Sequence, residues 1–432
     1  MASAVQKVFS TVQTHKKKCL FFSVCAFFGF RYLQRRQRDS AVRSHYCQLA
    51  RKFGWDTIGA TSRPRRVTVL VNRWAKDGKS RMAFEDNALP LLNLAGLEVN
   101  LINTDSANQL EDIASALDKS EADSVYLVGG DGTISRFLNG FYQNSSGPQL
   151  PVGVYPGGRN NYALRTLWNK ATAEVDVRWA CETAMALIRD VKQKSNVFKV
   201  AVDEDQPFYC LSHVNWGPFA HIEALKWKYW YWSAWKTKFA YAWNSLKING
   251  RPNSFDTQIE YEPPCSGCKK CRSSSKSPSQ NNSGWRWWHF LVGSRTTKPD
   301  TDQVDYSKIV NENCGVANTE TVRTCDMVIE KLQNDSTSEL NVRLGPENTS
   351  RFKFISDGWT RDKQENSLKA PGEDFIQSEF SARKLTITPT SELPERLQKI
   401  TADGDVHALS EKLQMELVSQ PLEIFVPHQT AE

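Results

Sequence analysis

The chain has 432 residues, enough at roughly 100–200 per domain for two or three domains, and its hydrophobic share of 40% is that of an ordinary globular protein. This excludes a wholly disordered chain, a collagen and a multi-span membrane protein. The formal charge of +7 is uneven: residues 1–66 hold 14 basic and 2 acidic side chains, which leaves the remainder at about −5 and without a nucleic-acid footprint. Ten cysteines are too dilute for a disulfide scaffold, and the redox compartment stays open.

Residues 1–38 contain no acidic side chain, and an apolar run, Cys19 to Phe30, lies between Lys16-Lys17-Lys18 and the cluster Arg35, Arg36, Arg38. A basic, acid-poor leader of this kind fits a mitochondrial targeting or membrane-anchoring segment. The run is shorter than the roughly 18–20 residues that cross a bilayer comfortably. A secretory signal anchor and a disordered basic tail are the competing readings, the former weakened by the missing small-x-small cleavage pattern after Phe28.

From Val67 strands and helices alternate: 67–72, a helix near 80–94, 98–103, a helix near 107–119, then 124–128. This pattern predicts βαβ units around a parallel sheet. The third strand ends in Gly129-Gly130-Asp131-Gly132-Thr133 and leads directly into a helix near 134–142. Glycines there let backbone N–H groups approach an anion, and the helix start adds its positive dipole end, as in a phosphate cradle. The string is neither a Walker loop nor G-x-G-x-x-G, and taken alone it also fits an ordinary strand–helix turn. A strand at 151–155 ends in a second glycine turn, Pro156-Gly157-Gly158-Arg159-Asn160-Asn161, and a helix is expected over 177–194.

Beyond that helix, short strands recur at 197–203, 208–214, 257–261, 287–292, 327–329, 340–342, 352–355, 385–388 and 422–426, which predicts an antiparallel sandwich. Six of the fourteen tryptophans fall between Trp216 and Trp243, interleaved with Lys226, Lys228, Lys236 and Lys238. Such rings suit a membrane interface or, equally, the filling of a core between lobes. Cys265-x-x-Cys268-x-x-Cys271 opens a polar loop at about 262–284. With His289 or Cys314 as a fourth ligand it would bind zinc; the alternatives are an oxidisable or disulfide-bonded loop and no function. Asp335 to Ser350 is expected to be another variable loop. Near the end stands Asp403-Gly404-Asp405, whose plainest reading is an exposed turn.

The GGDGT string at 129–133, the P-x-G-x-x-N turn at 156–161 and Asn72 closing the first strand together resemble the diacylglycerol kinase catalytic-domain family, which includes sphingosine, ceramide and acylglycerol kinases. The likeness spans about 67–432. It implies an N-terminal Rossmann-like α/β nucleotide lobe (67–195) and a C-terminal β-sandwich lipid lobe (196–432), with the active site in the cleft. It further implies ATP and Mg²⁺ as cofactors, Asn72 and Thr104 flanking the adenosine, Gly129, Gly130, Gly132 and Thr133 at the phosphates, and Gly158 and Asn161 shaping the second turn. Asp403-Gly404-Asp405 resembles the family's D-G-E/D element facing the nucleotide, which makes Asp131 and Asp405 the candidate base and metal partner. The stretch Asn215 to Phe219 followed by Lys228-Tyr229-Trp230-Tyr231 is similar to the mitochondrial acylglycerol kinase branch, with Trp216, His221 and Glu223 near the lipid.

Three positions depart from the family pattern. Arg136 replaces a helix Glu, Lys199 an Asp that begins the second lobe, and His221 an Asp near the lipid headgroup. An arginine facing a metal removes a ligand and adds positive charge, which weakens, rearranges or abolishes catalysis. The resemblance thus implies an acylglycerol kinase on the mitochondrial inner membrane, facing the intermembrane space. Its alternatives are a ceramide or sphingosine kinase and a non-catalytic subunit of the carrier translocase.

Overall fold

The computed structural model describes residues 16–56, 59, 62–143, 150–159, 161–168, 175–247, 254–265, 268–272, 309–333, 338–363, 375–418 and 420–427. The strand expected at 287–292, His289 and Asn160 lie outside them.

The first sheet has six strands in the order β2 (Glu98–Thr104), β1 (Arg66–Asn72), β3 (Ser124–Gly129), β4 (Val152–Pro156), β18 (Leu422–Phe425) and β5 (Lys192–Ser195). Strands β1 to β4 are parallel and β18 joins β4 in parallel, whereas β5 runs antiparallel to β18. All six residues of β3 are buried, as its unbroken apolar run SVYLVG requires of a strand covered on both faces. Local chemistry starts the flanking helices: Ser106 Oγ accepts from Gln109 N, and Asp176 Oδ1 accepts from Trp179 N.

The second lobe is a sandwich of two six-stranded antiparallel sheets. One is ordered β10 (Asn318–Thr324), β9 (Phe255–Glu262), β14 (Lys384–Pro389), β17 (Leu413–Leu417), β6 (Phe198–Val202), β7 (Phe208–Cys210). The other is ordered β13 (Ser378–Ala382), β12 (Ser338–Leu344), β11 (Met327–Gln333), β8 (His213–Trp216), β15 (Lys399–Ala402), β16 (Asp405–Ala408). Their inner faces share one core, with Phe198, Val200 and Met415 from the first and Val214, Trp216 and Ile400 from the second. The two-lobe α/β plus β architecture is therefore as expected from the sequence.

The details differ in several places, among them the loop expected over Asp335 to Ser350, which contains the strand β12 with Leu340 and Val342 in the core. The last strand, β18, returns to the first sheet, so each lobe is built from separated segments of chain. The helix expected over 177–194 stops at Ile188 because the chain turns into β5, which pairs with β18. The segment expected as a strand at 352–355 lies in a helix, Arg351–Lys363, which packs with Pro218–Leu225 and Lys236–Lys247 around Phe219, Tyr241 and Phe354. Finally, Lys16–Phe53 is one long helix whose far end, around Tyr46, Leu49 and Ala50, packs on the core of the first lobe. Among the described residues no helix is long and apolar enough to cross a membrane.

Candidate active site

The cleft between the lobes is a hollow of about 330 Å³ lined by Asn72, Trp74, Lys76 and Asp77, by both glycine turns, and by Asp403 and Gly404. Strands β1, β3 and β4 end here side by side, so their C-terminal turns converge on one place. This is where open α/β sheets bind ligands. The helix Asp131–Gln143 begins at this point, its first turn closed by Thr133 N and Ile134 N donating to Gly130 O. Gly157 N donates to Gly129 O and stitches the two glycine turns together; a Cβ at Gly157 would collide with Ser80 Oγ. The second turn is stapled by Asn161, which accepts from Gly158 N at 3.1 Å and donates to Gly158 O at 3.2 Å.

Asn72 Nδ2 donates to Thr133 Oγ1 at 2.9 Å and Asn72 Oδ1 accepts from Trp74 N at 3.0 Å, which holds the end of β1 to the start of the helix. Thr104 is buried, and its hydroxyl donates to Val71 O. It supports the rim from behind and does not line the hollow.

Asp131 is fully buried at the floor. Its carboxylate accepts from Tyr162 N at 2.8 Å and Ala163 N at 3.1 Å, so it also caps the helix Tyr162–Trp168. Burial pushes its carboxyl up to about 7, the two amides oppose that shift, and the charge of Asp403 adds to it. Asp403, with φ of 46°, turns its carboxylate inward to accept from the amides of Leu211, Ser212 and His213. It therefore ties β15 to the β7–β8 turn and is not an exposed turn residue. Next to it, Asp405 comes against Gly132: a Cβ there would lie 3.1 Å from Asp405 Oδ1. Burial raises the Asp405 carboxyl and Arg136 opposes this. Arg136 bridges the lobes, with Nη1 3.2 Å from Glu111 Oε1 and Nε 3.9 Å from Asp405 Oδ2.

The expected lipid-side residues fall differently. Trp216 is completely buried in the sandwich core, its indole packed on Phe255 and donating to Leu397 O at 2.8 Å, so it does not face the cleft. His221 is half-buried on the helix Pro218–Leu225, where burial and the charges of Lys399 and Arg396 lower its pKa. Glu223 pairs with the buried Lys226 at 2.6 Å. Lys199 pairs with Glu416 at 3.7 Å on the outer sandwich surface and is not among the cleft-lining residues.

Sequence reasoning missed two residues beside Asp131, Tyr162 and Arg165, and gave Lys226 only a place among the interface lysines. Tyr162, whose phenol burial pushes up to about 12, feels the charges of Lys226, Glu223, Asp131 and Arg165. Arg165 is buried and lies over the Tyr162 ring at 5.8 Å. Together with Lys226 they extend the acidic floor into a mixed-charge wall on the Pro218–Leu225 side. The signal was the sequence Asn161-Tyr162, which puts the tyrosine directly after the second glycine turn.

The profile of the diacylglycerol kinase catalytic domain matches residues 66–199. An uncharacterised protein of Caenorhabditis elegans is 36% identical over 96% of this chain and 95% of its own length. The human protein named acylglycerol kinase, mitochondrial, is 25% identical over 86% of each chain. A crystal structure assigned as a diacylglycerol kinase from Bacillus anthracis superposes with a TM-score of 0.51 at 14% identity, covering 84% of this chain and 98% of the other.

Proposed function

The chain belongs to the diacylglycerol kinase catalytic-domain family, and on that premise we propose that it transfers the γ-phosphoryl group of ATP to the free hydroxyl of a mono- or diacylglycerol, giving lysophosphatidic or phosphatidic acid. The observation that carries this reading is Asp131: a carboxyl group on the cleft floor, titrating at about 7, beside a glycine turn that opens a thirteen-residue helix.

The residues present fit a magnesium nucleotide. Asp131 and Asp405 gather negative charge where backbone amides and a helix start would otherwise attract phosphate, so a triphosphate is favoured there only when a hard divalent cation accompanies it. Asp405 would hold the ion, Gly130, Gly132 and Gly158 would let the chain approach the phosphates, and Lys76 and Arg159 line the mouth. Bound Mg²⁺ neutralises charge on the phosphates. An alcohol has a very high pKa, so Asp131 accepts the hydroxyl proton as the new O–P bond forms and the β,γ-bridging O–P bond breaks, and ADP leaves. A base with a pKa near 7 is matched to this task at neutral pH. Arg136, in place of the family's acid, positions Asp405 and offsets its charge.

Acylglycerols reside in membranes, and the aromatic run supports docking to one. Trp230 is 75% exposed and Trp235 63%, with Lys238 Nζ 4.9 Å from the Trp235 ring. The same holds for Phe21, Phe27, Phe28 and Phe30 on the basic N-terminal helix. The names of the mitochondrial relatives and this helix support a mitochondrial membrane as the location. The test is a transfer assay with labelled ATP, Mg²⁺ and vesicles containing monoacylglycerol, diacylglycerol, ceramide or sphingosine. Label in lysophosphatidic or phosphatidic acid is expected, and label only in the sphingolipids would replace acylglycerol as the substrate.

A further inference from the structure

Away from the cleft, at the end of β9, Cys265, Cys268 and Cys314 place their sulfur atoms within 4.8 Å of one another. Cys268 and Cys314 are buried and Cys265 is half-buried. Two segments 46 residues apart in sequence, one after β9 and one before β10, are pinned together here by hydrogen bonds. Lys269 N donates to Ile309 O at 2.9 Å, Lys270 Nζ donates to Glu312 O at 3.3 Å, and Cys314 N donates to Asn311 O at 3.3 Å. Asn311 Nδ2 donates to Cys265 Sγ at 3.4 Å. A side-chain amide donating to sulfur is the kind of outer contact that orients a ligating cysteine.

We propose that Cys265, Cys268 and Cys314 bind a structural zinc ion that clamps the stem of the β9–β10 hairpin. Soft thiolates converging from a C-x₂-C turn and from the turn ahead of β10 are the donor set for tetrahedral zinc, with Zn–S bonds of about 2.3 Å requiring only a small contraction of the cluster. Lys269 and Lys270, next to Cys268, offset the negative charge that three or four thiolates leave on such a site. The sequence supplies one more cysteine, Cys271, three positions after Cys268. The clamp holds Cys268 beside Cys314, 46 positions further along the chain, and so offsets the entropy of bringing these two points together. It is independent of phosphoryl transfer.

Metal content of the full chain, purified without chelator, tests this directly. Close to one zinc per chain is expected, released when the thiols are titrated with an organomercurial. The reconstituted cobalt(II) protein should show sulfur-to-cobalt charge-transfer bands. Cys314→Ser and Cys268→Ser should each lose the zinc, while Cys325→Ser, altered at a buried thiol elsewhere, should keep it. Loss of zinc in Cys271→Ser would mean four thiolates, and retention would mean three thiolates and a water; both support the site. Absence of zinc in the wild-type chain after metal-replete expression, with no charge-transfer band on adding cobalt(II), would overturn the proposal. So would recovery of these cysteines as disulfides from freshly isolated protein.

Discussion

Asp405 and Gly132 meet across the interlobe cleft so closely that a side chain on the glycine would place its Cβ 3.1 Å from Asp405 Oδ1. The contact joins the helix that follows the first glycine turn to the strand that follows the Asp403-Gly404 turn, and it brings Asp405 to the same cleft as Asp131. Gly132→Ala gains helix propensity of about 0.5–1 kcal/mol but must push Asp405 aside by a few tenths of an ångström. The variant should therefore stay folded, with a melting temperature within a few degrees of wild type, while kcat/KM falls about tenfold or more, since small misplacements in a phosphoryl-transfer site cost rate steeply. Paired thermal melts and steady-state kinetics check both halves.

Arg136 reaches Glu111 and Asp405 together and opposes the upward shift of the Asp405 carboxyl. Removing it in Arg136→Ala should raise the Asp405 pKa further and weaken magnesium-nucleotide binding by about 1 kcal/mol, roughly fivefold, with little change in melting temperature. Calorimetric titration with MgATP measures this, and an unchanged affinity would detach Arg136 from the site.

Burial raises the Asp131 carboxyl from its ordinary value near 3.8 to about 7. The folded state then binds the proton more tightly than the unfolded chain, so this contribution to stability is fully present below about 4 and is lost as pH rises through about 7. Denaturant midpoints of wild type should fall over that window relative to Asp131→Asn, whose uncharged amide removes the term. Parallel profiles would contradict the assigned shift.

Trp230 and Trp235 point their rings outward and contribute little to packing. The double substitution Trp230→Ala/Trp235→Ala should leave stability within about 0.5 kcal/mol of wild type yet reduce sedimentation with anionic vesicles several-fold. The apparent KM should rise for vesicular acylglycerol but stay fixed for a short-chain soluble analogue. Trp216 behaves oppositely: Trp216→Ala leaves a large cavity in the sandwich and should cost about 3–5 kcal/mol.

Much of this was legible in the sequence because the relevant signals are local. The turns at 129–133 and 156–161 sit between an apolar run and a helix, so their place at the sheet's C-terminal edge follows from strand direction alone. Signals that depend on tertiary partners were hidden. The inward carboxylate of Asp403 needs the amides of residues 211–213, far away in sequence. Trp216 and the exposed Trp230 belong to one aromatic-rich stretch of sequence, and only the opposing sheet decides that Trp216 is core. The strand β18 is four residues long, too short to announce which sheet it completes. Phe352 and Phe354 read as strand residues until their helix finds Phe219 and Tyr241.

The most direct test of the central claim is the pH dependence of phosphoryl transfer from labelled MgATP to acylglycerol, measured for wild type and Asp131→Asn. The account predicts a rate that rises with pH to a plateau above about 7, following the deprotonated fraction of Asp131. In Asp131→Asn the rate should fall at least about 10²-fold without loss of fold. A folded wild-type chain that transfers no label, or an Asp131→Asn variant with full activity and the same profile, would contradict it.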